Sequence, residues 1–330
     1  MIKPRLTESI KRELPQQLNP KSNPMKRLLT LLVGLLCLHF VTPTASGQNS
    51  ATTVSSVKGQ DYYANTKKAI DELGGIKQFV KKGQTVGILV NSDFEIKGAY
   101  VNPDVTIAFI KLCLDAGAKE VVCLQNIKQE YWERSEHYAK NKKMFKKVRS
   151  VIKNSFPSAY NDTDFVRVDT LAGAKHIKDL EVVKELFNVD VFVNIPIAKN
   201  HTSTILTNSM KNMMGLTTRK TNVTFHLNGP KRNDPEFLAT CIAELNLVRK
   251  PNLILVDATE VITTNGPVGP GDMAKPLRVV AGTDPVAIDA YCTTLLGFDP
   301  SRVFILKKGH ELGLGEMDLS KVNIRELEGK

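Results

Sequence analysis

In the segment IPIAKNHTSTILTNSMKNMMGLTTRK, residues 195–220, Lys199 and His201 are separated by one residue. In an extended segment, residues two apart point to the same side, so an ammonium and an imidazole would face one ligand. Thr202, Ser203 or Thr204 can cap a helix that follows, whose free N–H groups and dipole favour an anion. Lys211 and Asn212 then fall on a helix otherwise made of Ile, Leu and Met and ended by Gly215, and His226 follows a turn rich in Thr and basic residues. A lysine in such company marks a ligand site, a buried ion pair or a solvated face. The chemistry this spacing supports is an anion held by lysines, with a histidine placed to move a proton.

Two later stretches supply acids and tight turns. In VDATEVITTNGPVGPGDMAKP, residues 256–276, Asp257 ends an apolar run, and Asn265-Gly266-Pro267 with Gly269-Pro270-Gly271 stiffens a turn that could bring backbone N–H groups close to a ligand. The pattern is neither G-x-G-x-x-G nor a Walker loop, so an ordinary turn stands beside that reading. In AGTDPVAIDAY, residues 281–291, Asp284 before Pro285 reads as a helix cap, and Asp289 lies among Ala and Ile. Asp289 therefore faces a cleft or bonds to a backbone group. His137, His176 and His310 lack supporting spacing, and G-x-S-x-G and H-E-x-x-H are absent.

The elements that must position these residues alternate in period. A broken helix over 61–82 precedes an apolar strand TVGILV (85–90), a helix from Pro103 to Ala116 closed by Gly117, and a strand over 120–124. Residues 129–155 read as a charged helix, 165–168 as a strand, 180–187 as a helix and 189–195 as a strand. A helix over 234–247, strands over 253–256 and 277–281, and a helix over 284–296 follow. Strands separated by helices give an α/β fold with a mainly parallel or mixed central sheet and helices on both faces. In such sheets ligands collect beyond the carboxyl ends of the strands, where the segments above lie.

The 330 residues, 42% hydrophobic and 24% charged, have the composition of a globular protein. Residues 1–24 carry four prolines among polar residues and read as a disordered extension or a mis-assigned start, with Met25 as the alternative. Residues 25–47 read as a signal peptide: Met25-Lys26-Arg27, an apolar run to Val41, then small residues with cleavage after Gly47. The run is shorter than the roughly 20 residues of a spanning helix, so no stable membrane span is expected after cleavage; an uncleaved anchor is the alternative. Residues 48–60 read as a linker and 61–330 as one α/β domain or two intimate lobes. Removing 1–47 lowers the net charge from +11 to +6. The lysine-rich stretch 140–153 lacks an aromatic stacking platform, which argues for a solvated face and against nucleic acid. Cys113, Cys123, Cys241 and Cys292 sit in apolar segments without C-x-x-C spacing and read as buried thiols rather than iron–sulfur or zinc ligands.

Taken in order, NPDVTIAFIKLCLDAGAKEVV, VNIPIAKNHTSTILTNSMKNMMGL, LVDATEVITTNGPVGPG, VVAGTDPVAIDAYCTTLLGFDP and GHELGLGEMDL resemble the domain of unknown function 362 family over residues 84–330. Lys199, His201, Lys211, Asn212, Gly215, Asn265, Gly266, Asp284 and Asp289 match that family's pattern, while Ile197 stands where the family usually has a lysine. Many members add a ferredoxin-type cysteine cluster that this chain lacks. In layout the family is similar to nickel-pincer lactate racemases, a likeness of fold that assigns no cofactor.

The expectation is an exported protein that binds an anionic small molecule in a basic cleft. His201, Lys211 and Asp289 would form the acid/base set, with Lys199, Thr202, Asn212, His226, Asp257, Asn265 and Gly266 as ligand contacts. His201 or His226 would move the proton, oriented by Asp257 or Asp289, and a metal held by His201, His226 and an Asp is a variant of this. A non-catalytic binding protein of the cell envelope is the alternative, and pairing of Lys211 with Asp289 as a structural brace is a third. No cofactor or oligomeric state is specified.

Overall fold

The computed structural model describes residues 52–152, 164–169, 171–178 and 180–330. Every described residue belongs to one compact unit, Ser50–Lys330. The segments read as an extension and a signal peptide, and the first residues of the expected linker, lie outside the described residues.

The strands are Thr53–Lys58 (β1), Thr85–Val90 (β2), Glu120–Cys123 (β3), Val148–Ser150 (β4), Phe165–Val168 (β5), Leu180–Val183 (β6), Val191–Ile195 (β7), Lys199–His201 (β8), Ile205–Thr207 (β9), Leu253–Ala258 (β10), Val261–Ile262 (β11), Met273–Ala274 (β12), Arg278–Gly282 (β13) and Asn323–Glu328 (β14). The helices are Tyr62–Asp71 (α1), Ile76–Phe79 (α2), Pro103–Asp115 (α3), Gln129–Glu133 (α4), Glu136–Lys140 (α5), Ser209–Asn212 (α6), Arg219–Leu227 (α7), Pro235–Leu245 (α8), Pro285–Leu295 (α9) and Phe304–Glu311 (α10). Eight strands form the central sheet in the order β14-β1-β13-β10-β7-β2-β3-β4. Only β13 runs against the others, pairing antiparallel with β1 and β10. Alternate residues of β10 and β13 enter two separate buried clusters: Leu253, Leu255, Val279 and Ala281 pack in one, Ile254, Val256 and Val280 in the other. Because successive side chains point to opposite faces, this split means that both faces are covered. Ala69 and Ile70 of α1 join the first cluster, and Ala287, Ile288 and Cys292 of α9 the second. An α/β fold with a mainly parallel sheet and helices on both faces is what the alternation implied.

Helix starts follow local chemistry. Asn102, Asp234 and Asp284 each accept a hydrogen bond from a backbone N–H of the first turn, with Pro103, Pro235 and Pro285 next in line.

Four expectations are corrected. The linker over 48–60 contains β1, hydrogen-bonded between β13 and β14. Ser56 can be buried there because its Oγ meets Arg278 Nη1 at 3.1 Å and the Tyr291 hydroxyl at 2.8 Å. The charged helix expected over 129–155 is, over its described residues 129–152, two short helices, a 3₁₀ turn at Met144–Lys147 and β4; residues 153–155 lie outside the described residues. Ser135 caps α5, and the fold back brings Trp132 and Phe145 edge to face at 5.0 Å. The helix over 180–187 is β6 followed by a 3₁₀ turn, since β6 pairs with β5 in a separate two-stranded sheet. Finally, Thr202–Thr204 do not cap a helix; they turn β8 into β9, with Ile205 at φ 65°.

β2 lies between β3, reached by the α3 crossover, and β7, reached by the chain's return from beyond β4. The strand order thus reverses between β2 and β7. At such a switch point the loops leaving the two strands diverge and open a crevice at their carboxyl ends.

Candidate functional site

A cavity of about 490 Å³ fills that crevice. Asn91–Phe94 after β2, Gln125 and Asn126 after β3, and Lys199, His201 and Thr207 of the β8–β9 hairpin line it. Lys211, Asn212, Met214, Gly215 and Thr217, then Arg219, Asn222 and His226 of α7, and finally Pro267 complete the lining. Five residues expected at the site therefore converge: Lys199, His201, Lys211, Asn212 and His226. The loop after β10 also reaches it. Thr202 N and Oγ1 donate to the Gly266 carbonyl at 3.2 and 2.5 Å, and Gly266 N donates to Asn200 Oδ1 at 3.0 Å. A Cβ on Gly266 would lie 1.8 Å from the Asn200 oxygen, so glycine is what lets the two loops meet.

Lys199 is fully buried; its Nζ donates to the Ala99 carbonyl and lies 3.8 Å from the centre of the Phe94 ring. Lys211 is half-buried, and its Nζ contacts Met214 Sδ at 3.4 Å. Among the described residues neither ammonium pairs with a carboxylate. Burial lowers Lys211 to about 8, and burial together with the Lys211 charge lowers Lys199 to about 7. His201 is pushed down to about 2, by burial first and then by Lys211, His226 and Lys199. Its Nδ1 accepts from Ser203 N at 3.1 Å, so the neutral ring carries its proton on Nε2. His201 thus presents a hydrogen-bond donor instead of the proton-transfer base expected of it. His226 is lowered by burial and by Lys211; its Nδ1 lies 2.9 Å from Asn233 Oδ1, which leaves Nε2 as an acceptor.

Beneath these groups runs a buried amide relay. Asn212 Nδ2 donates to Asn194 Oδ1 at 2.7 Å and to the Leu89 carbonyl at 3.3 Å, and Asn194 Nδ2 donates to the Ser209 carbonyl at 2.8 Å. The relay ties α6 to β7 and β2, which fixes where Lys211 sits.

The other expected residues stand elsewhere. Asp289 does not line the cavity and does not pair with Lys211. Its carboxylate accepts from Ser209 N at 2.9 Å and Met210 N at 3.0 Å, capping α6 from α9. Asp257 is buried against Asn102 N and against Thr259 N and Oγ1, at 2.5, 2.9 and 2.6 Å. Neither acid orients a histidine. Thr202 and Gly266 join the loops without lining the cavity, and Asn265 Nδ2 bonds within its own turn to the Pro270 carbonyl at 3.2 Å. Among the described residues no group of three or more His, Cys, Asp or Glu is arranged to hold a metal ion. Cys113, Cys123, Cys241 and Cys292 are free and buried, as their apolar settings implied.

Asn91–Phe94, Gln125, Asn126, Arg219 and Asn222 went unsingled in the sequence. The first six directly follow β2 and β3, so the strand-end rule applied to every strand would have found them.

The family model described as Domain of unknown function (DUF362) matches residues 86–294. The chain belongs to this family. The match holds every residue of the cavity lining, so the DUF362 portion and the pocket are the same part of the chain. A thylakoid-associated protein of Synechocystis sp. is 24% identical over 276 residues, 79% of this chain and 80% of that one. Among solved structures, the lactate racemase apoprotein of Thermoanaerobacterium thermosaccharolyticum is 12% identical with a TM-score of 0.44, covering 70% of this chain and 54% of its own. A Thermotoga maritima protein is 13% identical with a TM-score of 0.40, covering 77% and 60%. This DUF362 chain thus spans little more than half the length of those two.

Proposed function

We propose that this protein binds a small anionic molecule in the cavity at the β2/β7 switch point and moves a proton on it. The observation that carries the reading is the pair Lys199 and Lys211, two desolvated ammoniums in one cavity without a carboxylate partner among the described residues. Buried charge normally comes paired, and an anionic ligand would supply the missing partner. Arg219 at the rim adds a further cation, and His201 Nε2–H and the hydroxyls of the lining offer neutral hydrogen bonds. Since both lysines titrate near neutrality, they are the groups suited to exchange a proton with the ligand at physiological pH.

The test is calorimetric titration of the mature chain with malonate, oxalate and inorganic phosphate. Wild type is expected to bind at least one of them, and Lys211→Ala and His201→Ala to lose binding while keeping the wild-type circular dichroism spectrum. Unchanged affinity in both variants would refute the reading. Binding without turnover of any proton-labile analogue would reduce it to a binding protein.

We further propose that residues 25–47 export the chain; among the described residues no helix is long and apolar enough to cross a membrane. Amino-terminal sequencing of the protein from its native cell envelope is expected to begin at Gln48, and recovery with residues 25–47 intact would overturn cleavage.

A further inference from the structure

Lys211 differs from the other cations of the cavity. Lys199 Nζ is committed to the Ala99 carbonyl and the Phe94 face and has no exposed surface. Lys211 Nζ has a thioether sulfur as its recorded neighbour and keeps some exposure to the cavity. Asp93, the one carboxylate in the described lining, lies 3.8 Å from Lys128 Nζ. Two hydroxyls of the same lining, Ser92 Oγ and Thr207 Oγ1, are more than nine-tenths buried and have no hydrogen-bond partner. Buried hydroxyls are rarely left so, and together they mark where ligand oxygens belong.

We propose that the Lys211 amine forms a reversible imine with the carbonyl carbon of a short oxo-acid whose carboxylate is held by Arg219, with the buried Lys199 charge behind it. The proposal rests on the anion-binding reading and names the substrate class of that site. An amine that burial keeps partly unprotonated near neutrality is a nucleophile, and a second cation nearby adds to the effect. Its lone pair attacks the carbonyl carbon, the C–N bond forms, and the carbonyl oxygen takes up the proton released by nitrogen to give a carbinolamine. Ser92 Oγ, Thr207 Oγ1 and His201 Nε2–H are the donors available to that oxygen. The hydroxyl leaves with the remaining N–H proton as water to give the C=N bond, and addition of water reverses the sequence, so no further reactant is required. The carboxylate gives Lys199 and Arg219 a counter-charge, and the imine gives Lys211 a bond in place of its weak thioether contact.

The experiment incubates the mature protein separately with pyruvate, acetoacetate and 2-oxoglutarate, adds sodium borohydride, and maps the reduced adduct by peptide mass spectrometry. The expected result is a saturable adduct on Lys211 with at least one oxo-acid, suppressed by malonate and absent from Lys211→Arg. An adduct confined to surface lysines, one of equal yield in Lys211→Arg, or none at all overturns the proposal. Should Lys211→Arg fail to fold, site mapping and malonate protection in wild type decide alone. Malonate binding without trapping refutes the imine and leaves anion binding standing; absence of both refutes the two together.

Discussion

Replacing Asp289 separates a bracing role from a ligand-facing one. Its carboxylate accepts two backbone N–H groups, Ser209 N at 2.9 Å and Met210 N at 3.0 Å, and is 2% exposed. Asp289→Ala leaves both donors buried and unpaired, each costing about 1–3 kcal/mol, so the expected loss is about 2–6 kcal/mol. Asp289→Asn keeps one acceptor and should lose about half as much. Burial raises the carboxyl from 3.8 to about 8, so the folded chain holds this proton more tightly than the unfolded chain. Stability from this group is therefore fully present below the unfolded value near 4 and declines as pH rises towards about 8. Asp289→Asn should remove that part of the decline. Urea unfolding followed by circular dichroism between pH 5 and pH 8 measures both effects. If Asp289→Ala unfolds within about 0.5 kcal/mol of wild type yet loses malonate binding, the carboxylate faces the ligand and the bracing role is wrong.

Three further outcomes follow from contacts around the cavity. Gly266→Ala would place a Cβ 1.8 Å from the Asn200 oxygen, so it should cost about 1–3 kcal/mol and weaken malonate binding by moving Pro267 and the β8–β9 hairpin; wild-type behaviour would contradict the close approach of the loops. Nuclear magnetic resonance of the imidazoles should show His201 neutral, with no titration between pH 5 and pH 8, whereas a midpoint near 6.5 would refute its burial among cations. Asn194→Leu leaves one N–H of Asn212 Nδ2 without its Asn194 acceptor and takes the Asn194 donor from the Ser209 carbonyl, and should cost about 2 kcal/mol in urea unfolding and reduce anion affinity; an unchanged midpoint would show that the amide relay does not hold α6.

The strands and helices whose side chains pack at a single period were legible: TVGILV is buried along five of its six residues, and Pro103, Pro235 and Pro285 start their helices. Segments whose form depends on remote partners were not. Ser56 looks like a tether residue until Arg278 and Tyr291 arrive from more than 220 positions away. Leu180–Val183 is buried at every position, Glu181 included, and becomes a strand because β5 offers its backbone. The same holds for the site. Lys199, His201, Lys211, Asn212 and His226 could be singled out because polar groups with chemistry stood in apolar or tightly spaced company. Asp289 stood in similar company, and only the position of α6, 80 residues earlier, shows that it serves backbone N–H groups instead of a ligand.

The central claim is that an anion settles between two desolvated ammoniums. An anion raises the lowered pKa values of Lys199 and Lys211 from about 7 and about 8, so binding near pH 8 must take up protons. Calorimetric titration with malonate from pH 6 to pH 9, in buffers of different ionisation heat, measures that uptake. The expected result is affinity falling by about tenfold or more across the range, with net proton uptake near pH 8 that is smaller in Lys211→Met. Affinity that stays level or rises with pH, with no protons taken up, would contradict it.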